Sequence, residues 1–171
     1  DKLSEYTANI AFAGFTAPKI LWMKENEPEN YKKIAKIMLP KDYLAYRLSG
    51  SFCTDMSDAS GMLLMDVENR CWSKEMLDIC GLEQEQLPKL YESYEVVGTL
   101  KPEVAKELGF SENVKVIAGA GDNAAAAVGT GTVGNGRCNI SLGTSGTIFI
   151  SSEKFGVDKH NALHSFAHAD G

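Results

Sequence analysis

No apolar run in this 171-residue chain comes near the roughly 18 residues a membrane-spanning helix needs. Nothing in it has the build of a signal or transit peptide. Positive charge is scarce. Lys and Arg total 17 against 23 acids, and the net charge of −6 leaves no electrostatic footprint for nucleic acid or an anionic membrane. The dipeptide Gly-Lys never occurs, so there is no Walker loop for nucleotide phosphates. The four cysteines, Cys53, Cys71, Cys80 and Cys138, form no CxxC and no zinc-ligand spacing. Scattered thiols in a chain of this size read as reduced, which points to the cytoplasm. The sequon Asn139-Ile140-Ser141 then carries no weight, because it falls in an expected buried strand of a cytoplasmic protein.

Candidate metal ligands are also thin. His160, His164 and His168 are spaced by four and would share a helix face, but no helix start signal precedes them. Asp55, Asp58 and Asp66 miss the spacing of a calcium loop and read as solvated loop acids. No metal site is expected within these residues.

What remains is an ordinary globular composition, 44% hydrophobic and 23% charged, enough for one core or two small ones. Residues 14 to 50 read as helical, with Ile20, Leu21 and Met23 beside Trp22 ahead of Pro28. Tyr31, Ile34, Ala35 and Met38 recur at helical spacing up to Pro40, which in turn opens a helix stopped by Gly50. Residues 50 to 67 read as a short extended segment, a polar loop, and a strand over Met62 to Met65. Ser73 is an N-cap and Gly81 a stop for another helix, and Pro102 to Leu108 a further one closed by Gly109. Trp22 and Trp72 are expected in the core. From 114 onward strands take over: VKVI, then Asn139 to Gly143 and Thr147 to Ser151, joined by the turn Thr144-Ser145-Gly146. The shift suggests a domain boundary near 95 to 120. The chain opens at Asp1 without a methionine and stops in mid-pattern, as a piece of a longer protein would.

The chemistry concentrates in AGAGDNAAAAVGTG, 118 to 131. Gly119-Ala120-Gly121-Asp122-Asn123-Ala124 fits the dinucleotide pattern G-x-G-x-x-G/A after a strand. An oxidoreductase reading would place Asp122 beside a pyrophosphate, where it repels, and no acid about 20 residues on holds a ribose. A second reading makes Asp122 only the N-cap of an alanine helix. A third makes it a catalytic carboxylate. The GTSG turn, 143 to 146, offers N–H and O–H donors of the kind that hold phosphates in hairpin tips.

Several blocks together resemble the FGGY family of carbohydrate kinases, and within it the xylulose kinases. GFTAPKILWMKEN (14–26) is similar to the family's first signature. LPKDYLAYRLSG (39–50), TDMSDASGMLLMDV (54–67), NRCWSKEML (69–77), AGAGDNAAAAVG and SLGTSG follow in the family's order. The resemblance implies an α/β, ribonuclease-H-like (actin-like ATPase) fold. Residues 1–118 would be the later part of the N-terminal, sugar-binding domain, and 119–171 the start of the C-terminal, nucleotide-binding domain. It also makes the stretch around the histidines strand-like. Asp122 matches the family's catalytic base and contacts the sugar, and Asn123 matches its sugar-contacting neighbour. Gly143, Thr144, Ser145 and Gly146 match the phosphate hairpin, with Thr144 on the nucleotide. The substrates implied are D-xylulose and ATP with Mg2+, whose ligands would lie outside these residues. The resemblance leaves room for a homodimer. Other FGGY pentose or polyol kinases, or a non-catalytic domain of kinase-like fold, are the alternatives.

Phosphoryl transfer depends mainly on positioning and charge stabilisation. A carboxylate that accepts the sugar hydroxyl's proton must stand at a strand end facing a cleft. The positive end of a helix suits its charge. Asp122 is expected to meet these requirements, and an isolated 171-residue chain is expected to lack turnover.

Overall fold

The computed structural model describes residues 2–160 and 162–171. Helix α1 (Lys2–Thr7) leads through a loop to α2 (Thr16–Asn26), which buries Ala17 and Ile20. Trp22 lies about 200° round the helix from Ile20, so it stands 57% exposed rather than in the core. Trp72 is half-buried against the core, its indole N–H donating to the Pro88 carbonyl.

A single turn, α3 (Pro28–Tyr31), is followed by irregular chain up to Pro40, where the helical spacing predicted a helix. Two interactions explain the difference. Ile37 N–H donates to the Gln86 carbonyl at 2.8 Å, and Gln86 Nε2 donates to the Ile34 carbonyl at 2.7 Å. These backbone groups are satisfied across the chain instead of along a helix. Leu39 is then extended (φ −74°, ψ 160°), as a residue before proline must be. Helix α4 (Pro40–Ser49) starts at the proline and ends at Gly50, whose φ of +83° is the left-handed stop the sequence predicted.

Strand β1 (Cys53–Asp55) pairs in parallel with β4 (Lys89–Tyr91), and β2 (Met65–Asp66) pairs antiparallel with β3 (Cys71–Trp72). Between β1 and β2 the expected polar loop is a helical turn, α5 (Met56–Ala59), and of the expected strand over 62–65 only Met65 is extended, since Met62 ends a 3-10 turn and Leu63 stands at φ +58°. A strand would point alternate side chains outward. Met62, Leu63, Leu64 and Met65 are all buried, and the irregular backbone turns all four inward. They form the core with Ala17, Ile20, Ala59, Met76, Leu77, Cys80, Leu82 and Leu87. Helix α6 (Lys74–Cys80) closes it, capped by Ser73 Oγ accepting Met76 N–H at 3.4 Å and stopped at Gly81.

Strand β5 (Val96–Thr99) pairs antiparallel with β6 (Lys115–Ile117) around α7 (Pro102–Leu108). Helix α8 (Asp122–Gly129) follows, then the hairpin β7 (Arg137–Leu142) and β8 (Gly146–Ser151), with Ile140 opposite Ile148. Asn139 is half-buried but most of β7 is exposed, so the expectation of a buried strand there fails. The hairpin face that carries Ile140, Leu142, Ile148 and Ile150 is exposed among the described residues.

Beyond β8 the described chain is irregular rather than strand-like, since no neighbouring strand pairs with it. His164 packs edge-on to Phe12 and Phe15 and stacks on Phe166, and burial holds its imidazole below its usual pKa. His168 sits elsewhere, between the Thr132 carbonyl and Asp170. The two rings therefore share no face. Among the described residues, no group of three or more His, Cys, Asp or Glu is arranged to hold a metal.

Candidate active site

The chain leaving β6 is held from several sides. Ala118 N–H donates to the Glu95 carbonyl and Gly119 N–H to the Ser93 carbonyl, both at 3.0 Å. Gly119 takes φ +79°, and a Cβ there would lie 3.1 Å from Lys41 Cδ. The position needs glycine for its backbone and for the close approach of the lysine stem. Lys41 Nζ donates to the Ala118 carbonyl at 3.2 Å, and Gly121 N–H donates to Ser57 Oγ at 3.0 Å.

Gly121 (φ −59°, ψ 147°) is the N-cap of α8, and Asp122 is the first helical residue. Asp122 therefore does not cap the helix as its sequence position also allowed. Its Oδ1 accepts the N–H of the next residue, Asn123, at 2.7 Å. Oδ2 has no hydrogen bond among the described residues, and both side chains are exposed. The buried face of α8 is Ala124 and Ala127, small enough to let the helix lie close to α5.

A buried polar cluster lies behind this opening. Lys41 Nζ is 2.8 Å from Asp42 Oδ1 and 3.0 Å from Asp55 Oδ1. Burial favours the neutral amine, but hydrogen bonds and charge from Asp42 and Asp55 outweigh it and hold the ammonium above its usual pKa. Asp42 Oδ2 accepts Leu39 N–H at 2.9 Å, which fastens the start of α4. Asp55 is fully buried. Its Oδ2 accepts Ser57 N–H at 2.9 Å, the Ser57 hydroxyl, and the Ser93 hydroxyl at 2.7 Å. Removing the lysine would leave two buried carboxylates unpaired, at a cost of about 3–5 kcal/mol.

Asp55 is thus not a solvated loop acid, and neither is Asp58, which is half-buried beside Gly121. Asp66 is half-buried at the end of β2, where its carboxylate accepts Asn69 N–H and the Asn69 side-chain amide. Sequence reasoning missed the cluster. Asp42 could be read as a first-turn acid and Asp55 as a helix cap. Nothing along the chain brings residues 41, 55, 93 and 121 together.

The second predicted site is the hairpin tip. Gly143, Thr144, Ser145 and Gly146 are exposed, with Gly143 N–H donating to the Ser145 carbonyl at 3.0 Å. The Thr144 and Ser145 hydroxyls have no partner among the described residues. The hairpin's base is tied to the far end of α8, where Asn139 Nδ2 donates to Thr130 Oγ1 at 3.0 Å. No hydrogen bond or ion pair among the described residues joins the tip to Asp122 or Asn123.

Comparison with known proteins places this arrangement. Residues 1–129 match the N-terminal domain of the FGGY family of carbohydrate kinases. The xylulose kinase of Escherichia coli (strain K12) is 51% identical over 163 residues, 95% of this chain and 34% of that protein. The crystal structure of a xyloylose kinase from Brucella ovis is 43% identical with a TM-score of 0.95, covering 98% of this chain and 35% of that one. A ligand-bound xylulose kinase from Lactobacillus acidophilus is 28% identical with a TM-score of 0.93, covering 99% of this chain and 34% of that one. The chain spans about a third of the length of the curated relatives it matches. Its fold is the α/β, ribonuclease-H-like fold of these kinases. With the matched domain, the relatives and the solved structures in agreement, the chain belongs to the FGGY family of carbohydrate kinases.

Proposed function

We propose that these residues form part of an ATP-dependent kinase that converts D-xylulose to D-xylulose 5-phosphate, with Asp122 as general base. We place residues 1–118 in the sugar-binding domain and 119–171 at the start of the nucleotide-binding domain, a boundary inside the 1–129 stretch that matches the family's N-terminal domain. The observation that carries the reading is the Asp122 carboxylate, with one oxygen free at the opening of a helix whose entry is anchored on both sides. The 51% identity to a xylulose kinase supports the choice of sugar.

Asp122 Oδ2 takes the proton of the C5 hydroxyl as that oxygen bonds to the γ-phosphorus. The bond from phosphorus to the bridging oxygen breaks at the same time, ADP leaves, and the proton passes from Asp122 to water. Asn123, exposed beside the base, offers its amide to the sugar. The tip at Gly143–Gly146 fits phosphate oxygens. Two unpartnered hydroxyls stand between glycines whose lack of Cβ leaves the backbone open. Mg2+, bound by groups outside these residues, supplies charge neutralisation on the phosphates. The reaction is placed in the cytoplasm.

The test is made in the intact enzyme. Asp122→Asn is expected to lower kcat by about 10²–10⁴-fold with little change in the KM for sugar. Turnover near the wild-type level would end the general-base assignment. A panel of pentuloses and polyols checks the sugar, with D-xylulose expected to give the highest kcat/KM.

A further inference from the structure

We infer that Ser57 and Lys41 are positioning residues for Asp122, acting through the backbone of residues 118–121. The inference rests on Asp122 being the base. The geometry behind it is specific. The exit from β6 has two side-chain hydrogen bonds to its backbone, one to the Ala118 carbonyl from Lys41 and one from Gly121 N–H to Ser57 Oγ. Both donor and acceptor belong to one buried cluster, joined through Asp55. Ser57 is 3% exposed and its rotamer is held by Asp55, so its oxygen is an immobile acceptor. Gly121 immediately precedes Asp122, and the hydrogen bond on its N–H sets the direction in which α8 starts.

Asp122 itself has no buried anchor. Its one hydrogen bond within the described residues is to the adjacent amide. The carboxylate's place is therefore inherited from the backbone, and the backbone's place from Ser57 and Lys41. A general base loses rate steeply when displaced by a fraction of an ångström to an ångström, because the near-attack geometry is lost. Nucleotide binding through the hairpin tip is not touched by the same displacement, whereas Asn123, next along α8, moves with Asp122.

The experiment compares four variants in the intact enzyme by steady-state kinetics and thermal melting. Ser57→Ala removes the acceptor of Gly121 N–H and is expected to lower kcat by about 10-fold, with the KM for ATP within about 3-fold of wild type. Ser57→Cys keeps the side-chain shape with a larger sulfur in place of the oxygen and offers only a weak acceptor. It is expected to fall in the same direction, and it replaces Ser57→Ala as the test if that variant does not fold. Ser60→Ala deletes an equally buried hydroxyl, one that serves Met56 and Ala167 instead of Gly121, and is expected to keep kcat. Asp122→Asn is run alongside. Wild-type kcat in the Ser57 variants while Asp122→Asn loses turnover overturns the positioning role alone. So does an equal loss in Ser60→Ala, which would show general destabilisation. Wild-type turnover in Asp122→Asn overturns the base assignment on which the inference stands.

Discussion

The carboxyl of Asp58 is pushed up to about 6. Burial is the main cause. The charge of Lys41 pulls the other way, and those of Asp55, Asp42 and Asp122 add to the rise. The folded protein therefore resists ionising this group more than the unfolded chain does. The stability this group preserves is complete below its ordinary value of 3.8 and is lost as pH rises from about 4 to about 6. Asp58→Asn removes the penalty. Its melting temperature relative to wild type should be unchanged well below pH 3.8 and should rise to a higher plateau by about pH 7. A constant difference between the two enzymes across that range would contradict the assignment. Asp55, three residues earlier and fully buried, has the Lys41 ammonium and three hydrogen bonds on its two oxygens. One-dimensional reading grouped these two acids together as solvated. Their separation depends on a lysine 14 residues before Asp55 and a serine 38 after it.

At the scale of elements, the register of the β7–β8 hairpin sets which residues form its exposed turn. Ile140 opposite Ile148 and Leu142 opposite Gly146 leave Gly143 to Ser145 as the turn. Among the described residues the turn's hydroxyls have no partner, which leaves them available to a phosphate. In the intact enzyme, Thr144→Ala should raise the KM for ATP several-fold while leaving the KM for D-xylulose near wild type. An unchanged KM for ATP would remove Thr144 from the nucleotide site. The elements that were legible in advance share a property. Helices α4, α6 and α7 are bracketed by local signals: proline or serine at the start, glycine with positive φ at the end. Those that were not legible are decided by distant partners. The backbone of 34–37 bonds to residue 86, and the run 62–65 is turned inward by a core on every side.

For the whole molecule, the core is concentrated between residues 17 and 87, whereas the hairpin has one apolar face uncovered. Asp122 and the hairpin tip are not joined by any hydrogen bond among the described residues. Phosphoryl transfer needs the hydroxyl, base and phosphate in one enclosed line. The 171 residues alone should therefore release no ADP in response to D-xylulose. A coupled assay on the purified chain checks this, and sugar-dependent ADP above background would contradict it.

The sequence by itself determined the family, because the identities and order of its short blocks are local facts. It also determined the Gly-Asp opening and the GTSG tip, since glycine, acid and hydroxyl placement follows from backbone conformation and charge. The tertiary structure alone decided that Trp22 is exposed and that Asp55 is the buried centre of an ion-pair cluster. It also decided that Ser57, 64 residues before Gly121, holds the backbone from which Asp122 projects. Burial and hydrogen bonding between remote segments depend on how the chain closes on itself, and no local pattern records that closure.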